Sequence, residues 1–216
     1  MKVIAHRGNS AQYPENTLAA FESAVELDVD MIEFDVRMSC DGEVVVIHDD
    51  SVDRTTSGAG KVGALTVAEL RSLGVPTLAE LLALPVGLNI EIKERRVTPR
   101  VMELIRGRGD IVVSSFDWLA LDEARQINPG QALGYLCRAF NCEQGITRAA
   151  AADAASVNCP CAAVELGLVT AAHDAGLEIL VYTVNDIAEG RLIETMGVDG
   201  IFTDEPAVML DAFGGR

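Results

Sequence analysis

Short runs of β-branched and apolar residues alternate along the chain with stretches that have helical periodicity. This alternation is typical of βαβ units, in which crossover helices join parallel strands. The runs that predict strands cover residues 2–6, 31–36, 44–48, 88–93, 110–115, 131–136, 155–160, 177–183 and 199–203. The stretches that predict helices cover residues 16–28, 77–84, 97–107, 117–128, 165–175 and 185–196, with Asn16 as the N-cap of the first helix. The pattern predicts an α/β fold with a largely parallel sheet.

The run at 44–48 differs from the others because only the segment from Arg37 to Glu43 separates it from the preceding strand. A parallel neighbour would need a crossover of about a dozen residues or more. Asp41-Gly42, by contrast, is a typical hairpin turn. We therefore expect this run to pair antiparallel with the preceding strand, as a short hairpin excursion after strand 2.

The remaining eight strands fit a (β/α)8 TIM barrel. A chain of 216 residues is long enough for one such barrel, so we expect a single domain over residues 1–216. The alternative is a doubly wound open sheet, which would place a Gly-rich phosphate turn after the first strand. His6-Arg7-Gly8 follows that strand and is not such a turn, so the barrel is favoured.

Acidic residues outnumber basic residues by 33 to 17, which gives a formal net charge of −16. Nucleic-acid binding requires a basic surface, so this charge excludes a general nucleic-acid binder. It also disfavours stable association with anionic membranes. We find no apolar run of membrane-spanning length and no signal-peptide pattern at the start of the chain, so we expect a cytoplasmic protein.

The five cysteines form no recognisable disulfide framework and predict reduced, partly buried thiols. The alternative is a zinc site made by Cys137, Cys142, Cys159 and Cys161. Their spacings match no common zinc-binding pattern, so this alternative is disfavoured.

The ends of two predicted barrel strands carry charged residues with a matching spacing. Glu33 and Asp35 are two positions apart in one strand, and Glu91 and Lys93 have the same spacing in the next. Because alternate residues of a strand face the same side, all four side chains can point into the barrel mouth. Three carboxylates repel one another unless a cation joins them, and oxygen ligands favour Mg²⁺ or Ca²⁺. The competing interpretation is an ordinary ion pair with a nearby arginine.

Two of the three histidines, His6 and His48, follow predicted strands on the same face of the barrel, whereas His173 lies near a helix end. Two histidines across a cleft suit general acid–base catalysis, because imidazole titrates near neutral pH. The competing interpretation makes them metal ligands, which Zn²⁺ would favour. Together with a metal, Arg7 and Lys93 would neutralise phosphate oxygens, so the set indicates phosphoryl transfer.

A series of short motifs runs in order along nearly the whole chain. They are His6-Arg7-Gly8, Pro14-Glu15-Asn16-Thr17, Glu33-Phe34-Asp35-Val36, His48-Asp49, Asp53-Arg54-Thr55-Thr56, Pro76-Thr77-Leu78, Glu91-Ile92-Lys93, Ser115-Phe116, Tyr182-Thr183-Val184-Asn185 and Gly197-Val198-Asp199-Gly200-Ile201 with Thr203-Asp204. These motifs, in this order, resemble those of the glycerophosphodiester phosphodiesterase family. The resemblance implies a TIM barrel that hydrolyses small glycerophosphodiesters to glycerol 3-phosphate and an alcohol.

The resemblance also implies roles for particular residues. Glu33, Asp35 and Glu91 would hold the divalent metal, Mg²⁺ or Ca²⁺. His6 and His48 would be the acid–base pair. The nucleophile would be either a glycerol hydroxyl of the substrate, which forms a cyclic phosphate, or water.

By the same resemblance, Arg7 and Lys93 would contact the phosphate. Tyr182 stands where the family often has Trp, and it would form a wall of the glycerol pocket. The alternatives are a lysophospholipase D-like or cyclising phosphodiesterase on the same barrel and a non-catalytic barrel that binds a phosphorylated metabolite. The sequence does not determine the preferred headgroup or the oligomeric state.

Overall fold

The predicted barrel is present in the computed structural model, which describes residues 1–214. The strands are β1 (Lys2–His6), β2 (Met31–Met38), β3 (Val44–Val46), β4 (Gly87–Ile92), β5 (Ile111–Ser115), β6 (Ala132–Leu136), β7 (Ser156–Pro160), β8 (Glu178–Tyr182) and β9 (Gly200–Thr203). The helices are α1 (Leu18–Glu26), α2 (Val67–Ser72), α3 (Leu78–Leu81), α4 (Thr98–Leu104), α5 (Trp118–Ile127), α6 (Cys142–Ala151), α7 (Leu166–Asp174), α8 (Ile187–Thr195) and α9 (Pro206–Phe213). The last two residues of the predicted domain, 215–216, lie outside the described residues.

Eight parallel strands follow one another in the order β1-β9-β8-β7-β6-β5-β4-β2, and pairing of β1 with β2 closes the barrel. The ninth strand, β3, pairs antiparallel with the end of β2, with Val36 opposite Val46. The predicted hairpin excursion is therefore confirmed. It carries the chain across the carboxyl ends of the strands, where the active site of a (β/α)8 barrel lies.

The strands bury their outward faces under the helices. Phe34, between the two acidic residues of β2, is fully buried and packs edge-on against Phe21 of α1, with the ring centroids 5.7 Å apart. Because side chains alternate along a strand, this packing turns Glu33 and Asp35 toward the barrel axis. The apolar core thus determines the direction in which the charged residues point.

The predicted start of the first helix is wrong. Thr17, not Asn16, is the N-cap of α1, and its hydroxyl accepts a hydrogen bond from the amide of Ala20. Asn16 instead adopts a left-handed backbone conformation with φ of 57° and donates its side-chain amide to Asp35 at 2.8 Å. A contact with the site therefore prevails over the local capping preference of Asn16.

Three helices, α2, α6 and α9, have no counterpart in the predicted set, and α3 is shorter than predicted. Helix α2 has only six residues, of which Leu70 alone is buried, so its periodicity is weak. Helix α6 contains Gly145, at which a Cβ atom would overlap the sulfur of Cys137, so there is no room for a side chain. Within residues 1–214, no helix has the length and apolar character required to cross a membrane.

Candidate active site

A triad of acidic residues lies at the carboxyl ends of two neighbouring strands. Glu33 and Asp35 belong to β2 and Glu91 belongs to β4, with Asp35 and Glu91 directly paired in register. All three are buried, and one carboxylate oxygen from each lies within 4.8 Å of the others. The structure therefore brings the three predicted metal ligands together in one cluster.

Burial and mutual repulsion strongly perturb the titration of this triad. The pKa of Glu33 is raised to about 8, first by burial and then by the charge of Asp35. Burial also raises the pKa of Glu91, with Asp35 as the next cause. The pKa of Asp35 is lowered despite burial, because Lys93 and Arg7 stabilise its charged form.

The donor set fits a hard divalent cation. The Oε1 atom of Glu33 is buried and has no hydrogen-bond partner among the described residues, so its lone pairs are available to a ligand. All three side chains offer carboxylate oxygens, which Mg²⁺ and Ca²⁺ prefer. Within residues 1–214, the triad is the one group of acidic, histidine or cysteine side chains with this close spacing. The four cysteines proposed as an alternative zinc site do not form such a group.

Two positively charged side chains, those of Lys93 and Arg7, lie against the triad. The Nζ atom of Lys93 is 2.6 Å from Oε1 of Glu91 and 3.3 Å from Oδ1 of Asp35. The Nε atom of Arg7 is 3.3 Å from Oδ2 of Asp35. The metal-binding triad and the ion pair with a nearby arginine are competing interpretations of the sequence. The structure contains both the clustered triad and the ion pair with Arg7.

The turn after β1 positions Arg7 and His6. Gly8 has φ of +83°, and a Cβ atom at this position would lie 2.8 Å from the backbone of Ala20. A side chain is therefore excluded at Gly8 both by conformation and by space. The backbone amide of Arg7 donates to the Oε2 atom of Glu33 at 3.1 Å, which ties the turn to the triad.

His6 is anchored by Asp204, which follows β9. The Nδ1 atom of His6 is 2.7 Å from Oδ1 of Asp204, and its Nε2 atom is 3.9 Å from Oε2 of Glu33. Burial opposes protonation of the ring, but the bond to Asp204 and the charge of Glu33 outweigh it and raise the pKa of His6. Asn185 and Ser10 also donate to Asp204, whose pKa is lowered to about 2.

His48 is anchored by its sequence neighbour Asp49, with 2.6 Å between Nδ1 and Oδ1. Burial lowers the pKa of His48, and this effect exceeds the stabilisation of its charged form by Asp35 and Asp49. Arg54 holds Asp49 at 2.6 Å and Glu15 at 2.7 Å. Because Glu15 also binds the guanidinium of Arg7 at 2.9 Å, a continuous chain of ion pairs links the two sides of the mouth.

A cavity of about 290 Å³ lies between these groups. The charged residues of its lining are His6, Arg7, Glu33, His48, Glu91 and Lys93. The apolar residues of its lining are Phe116, Leu136, Tyr182 and Phe202. Strands β1, β2 and β4, with the segment after β3, provide the charged part of the cavity, whereas the ends of β5, β6, β8 and β9 provide the apolar part.

Tyr182, for which the family resemblance implies a wall of the glycerol pocket, lies in the apolar part of the cavity. Its ring packs edge-on against Phe116 with 5.9 Å between centroids, and its hydroxyl donates to the backbone carbonyl of Cys137. Leu136 and Phe202 also line the cavity, but nothing local in the sequence singles them out, because they are ordinary apolar strand residues until the barrel closes around them.

The positioning roles of Asn16 and Asp204 were also missed. Asn16 is buried and bonds Asp35, yet its sequence context is that of a helix cap. In the sequence, Asp204 stands out only as part of the Thr203-Asp204 motif, and 198 positions separate it from His6. The third histidine, His173, lies outside the cavity and bonds Asp199 at 2.9 Å near the end of α7.

An eight-stranded parallel barrel with two histidines beside a carboxylate triad at its mouth has the architecture of a TIM-barrel hydrolase. The family model described as the glycerophosphoryl diester phosphodiesterase family matches residues 6–208. A glycerophosphodiester phosphodiesterase of Caldanaerobacter subterraneus is 34% identical over 97% of this chain and 96% of that relative.

Solved structures show the same likeness. A glycerophosphodiester phosphodiesterase from Thermotoga maritima has a TM-score of 0.88 and 35% identity, and the match covers 97% of this chain and 96% of that chain. An Oleispira antarctica phosphodiesterase, solved in complex with its product sn-glycerol-3-phosphate, has a TM-score of 0.91 and 30% identity over 100% of this chain and 97% of that chain. The chain therefore belongs to the glycerophosphodiester phosphodiesterase family.

Proposed function

We propose that this enzyme hydrolyses glycerophosphodiesters to glycerol 3-phosphate and an alcohol, with a carboxylate-bound divalent cation and the His6–His48 pair as general acid and base. The observation that carries the proposal is the single cavity that both histidines, Glu33, Glu91 and Lys93 line together. A diester phosphate placed in this cavity meets cations on one side and both histidines within the same space.

Glu33, Asp35 and Glu91 would hold the divalent cation, Mg²⁺ or Ca²⁺. When bound there, it supplies Lewis-acid polarisation of the phosphoryl oxygens. Arg7 and Lys93, both already drawn to the triad, add fixed positive charge for the developing charge on phosphorus-bound oxygens.

The two histidines have opposite roles because their surroundings differ. His48, whose pKa is lowered, is neutral and accepts the proton of the attacking hydroxyl, which belongs either to the substrate glycerol or to water. His6, whose pKa is raised, is protonated and donates to the oxygen of the departing alcohol as its bond to phosphorus breaks. Asp49 and Asp204 bind the Nδ1 atoms, so each ring directs Nε2 away from its anchoring carboxylate.

The test measures glycerol 3-phosphate released from glycerophosphoethanolamine after the enzyme has been stripped with chelator and then titrated with Mg²⁺ or Ca²⁺. We expect turnover that requires the added ion. A metal-loaded enzyme that is inert on every glycerophosphodiester would contradict the proposed substrate class, whereas full turnover in excess chelator would contradict the proposed metal requirement.

A lysophospholipase D-like activity is separated by a second substrate in the same assay. The enzyme is expected to release more product from water-soluble glycerophosphoethanolamine than from a lysophospholipid with the same headgroup. The predicted single-domain organisation over residues 1–216 and the predicted cytoplasmic location stay proposals that rest on sequence length and pattern.

A further inference from the structure

Arg138 is an arginine at the rim of the cavity that the proposed reaction does not use. It lies in the segment between β6 and α6, at the carboxyl end of the barrel, and is exposed. Its guanidinium carbon is 5.0 Å from the ring centroid of Phe116, which lines the cavity. This places a positive charge beside the apolar wall rather than beside the triad.

The guanidinium of Arg138 has no acidic partner within the described part of the chain. This is unusual in a protein with 33 acidic and 17 basic residues, where most other basic side chains at the mouth are paired. Arg7, Arg54 and Lys93 each contact a carboxylate within 3.0 Å. Arg138 thus keeps its full donor capacity for a ligand.

The backbone of Arg138 is fixed although its side chain has no acidic partner. Its amide donates to the side-chain oxygen of Asn141 at 2.7 Å, and the amide of Asn141 donates back to its carbonyl at 3.0 Å. The thiol of Cys142 donates to the same carbonyl at 3.3 Å. A fixed loop that presents a planar guanidinium loses little entropy when an anion binds.

The cavity has a charged part and an apolar part, and this division determines which part of a substrate lies near Arg138. Arg7, Lys93, Glu33 and Glu91 line the charged part, where the phosphate binds under the proposed function. Phe116, Leu136 and Tyr182 line the path away from it. A group that extends from the phosphate along this wall passes Phe116, whose ring centroid lies 5.0 Å from the guanidinium carbon of Arg138.

We infer that Arg138 is a specificity residue that binds an anionic group on the alcohol portion of the substrate, in particular a carboxylate. This inference rests on the proposed function and deepens it by naming the headgroup class. Arginine matches a carboxylate with two parallel hydrogen bonds, which a neutral or cationic headgroup cannot accept. The preferred diesters are therefore those whose alcohol carries an acidic group.

Glycerophosphoserine and glycerophosphoethanolamine form a matched pair of probes, because the serine headgroup is ethanolamine with one added carboxylate. We expect R138Q to lower kcat/KM for glycerophosphoserine about tenfold, mainly through KM, because a hydrogen bond to a charged group is lost. The same variant should change kcat/KM for glycerophosphoethanolamine less than about twofold, since exposed charges contribute little at a distance. R138K, which keeps the charge without the planar fork, should fall between R138Q and wild type.

R106Q is the control, because Arg106 is an exposed arginine that follows α4, before β5, at the other end of the barrel. It removes the same charge from the protein and should leave both substrates unaffected. Equal losses on both substrates in R138Q would overturn the inference and assign Arg138 to the support of Phe116 instead. Unchanged values on both substrates would also overturn it.

The proposed function and this inference fail in different ways. Absence of turnover on both diesters by the metal-loaded wild type contradicts the proposed function. The subsite is then tested by calorimetric binding of the two intact diesters to wild type and R138Q. Tighter binding of glycerophosphoserine that is lost in R138Q supports the inference, and equal dissociation constants in both proteins overturn it.

Discussion

His6 and His48 line the same cavity, but the protein holds them in two different ways. Asp204 anchors His6 from the far end of the chain, and the carboxylate of Glu33 lies nearby, so its pKa is raised. His48 is held by its neighbour Asp49, and burial prevails, so its pKa is lowered. The pKa values of two identical side chains are thereby shifted in opposite directions, as the proposed acid–base pair requires.

The comparison shows that the pKa of each histidine depends on its burial and on the charges around its ring. Both anchoring carboxylates raise the pKa of their histidine, so the anchor alone does not distinguish the two. At His6, the bond to Asp204 and the charge of Glu33 together outweigh burial and the charge of Arg7. At His48, burial and the charges of Lys93 and Arg7 outweigh the effects of Asp35 and Asp49.

The largest expected effect is the removal of either histidine. H6A and H48A should each lower kcat on glycerophosphoethanolamine about 10³-fold, because each loses one proton transfer in the transition state. Steady-state kinetics with saturating metal measures both. H173A is the matched control, since His173 lies outside the cavity and its ring bonds Asp199. A near-wild-type rate in either H6A or H48A would remove that residue from the proposed pair.

Loss of one triad carboxylate should have the next largest effect. E91Q is expected to lower kcat about 10²-fold and to raise the metal concentration needed for half-maximal activity, because the charge that holds the cation is reduced. Metal titration of the stripped enzyme gives both kcat and the metal concentration for half-maximal activity. E178Q, at the start of β8 and paired with Lys2 on the opposite end of the barrel, should resemble wild type. Unchanged metal affinity in E91Q would refute the ligand role of Glu91.

Breaking the chain of ion pairs at Arg54 should have a smaller effect on kcat than loss of a triad carboxylate. R54Q should lower kcat about tenfold, because Asp49 loses the partner that fixes it beside His48. R54K should recover part of the loss. The control is K61Q, which breaks the exposed pair between Lys61 and Asp50 in the same segment without touching Asp49. If R54Q and K61Q behave alike, Arg54 has no part in positioning His48.

The smallest expected effects are shifts in the pH profile. Under the proposed roles, activity requires His48 deprotonated, so it should rise with pH through the pKa of His48. It also requires His6 protonated, so it should fall with pH through the pKa of His6. Asp49 raises the pKa of His48, so D49N should move the acidic limb to lower pH. Asp204 raises the pKa of His6, so D204N should move the alkaline limb to lower pH.

Profiles of kcat/KM for the two variants and wild type, each at saturating metal, check these shifts. The two substitutions should act on different limbs. Movement of the same limb in both variants would show that the two histidines do not have separate roles.

The barrel is largely predictable from the sequence because its signals are local. Alternating apolar runs mark the strands, and the Asp41-Gly42 turn identifies β3 as the antiparallel excursion. The spacing of Glu33 and Asp35 is equally informative, since one strand fixes both side chains on one face. For the strands, the hairpin and this acidic pair, each set by local sequence, the prediction agrees with the structure.

Predictions failed where distant segments meet. Asn16 was assigned to a helix cap because nothing local shows that Asp35 needs its amide. Asp204 carries no signal that it anchors His6, because that contact exists only after β9 joins β1 and the barrel closes. Phe202 likewise becomes a wall of the cavity only through closure. These contacts depend on tertiary structure, which periodicity does not encode.

The division of labour between the two histidines is tested most directly with diesters of glycerol phosphate whose leaving group varies from an alkyl alcohol to 4-nitrophenol. A good leaving group departs without a proton, so the kcat/KM loss in H6A should shrink from about 10³-fold to about tenfold across the series. The loss in H48A should stay near 10³-fold throughout, because the nucleophile still needs a base. Losses in the two variants that stay equal for every leaving group would contradict the assignment of His6 as acid and His48 as base.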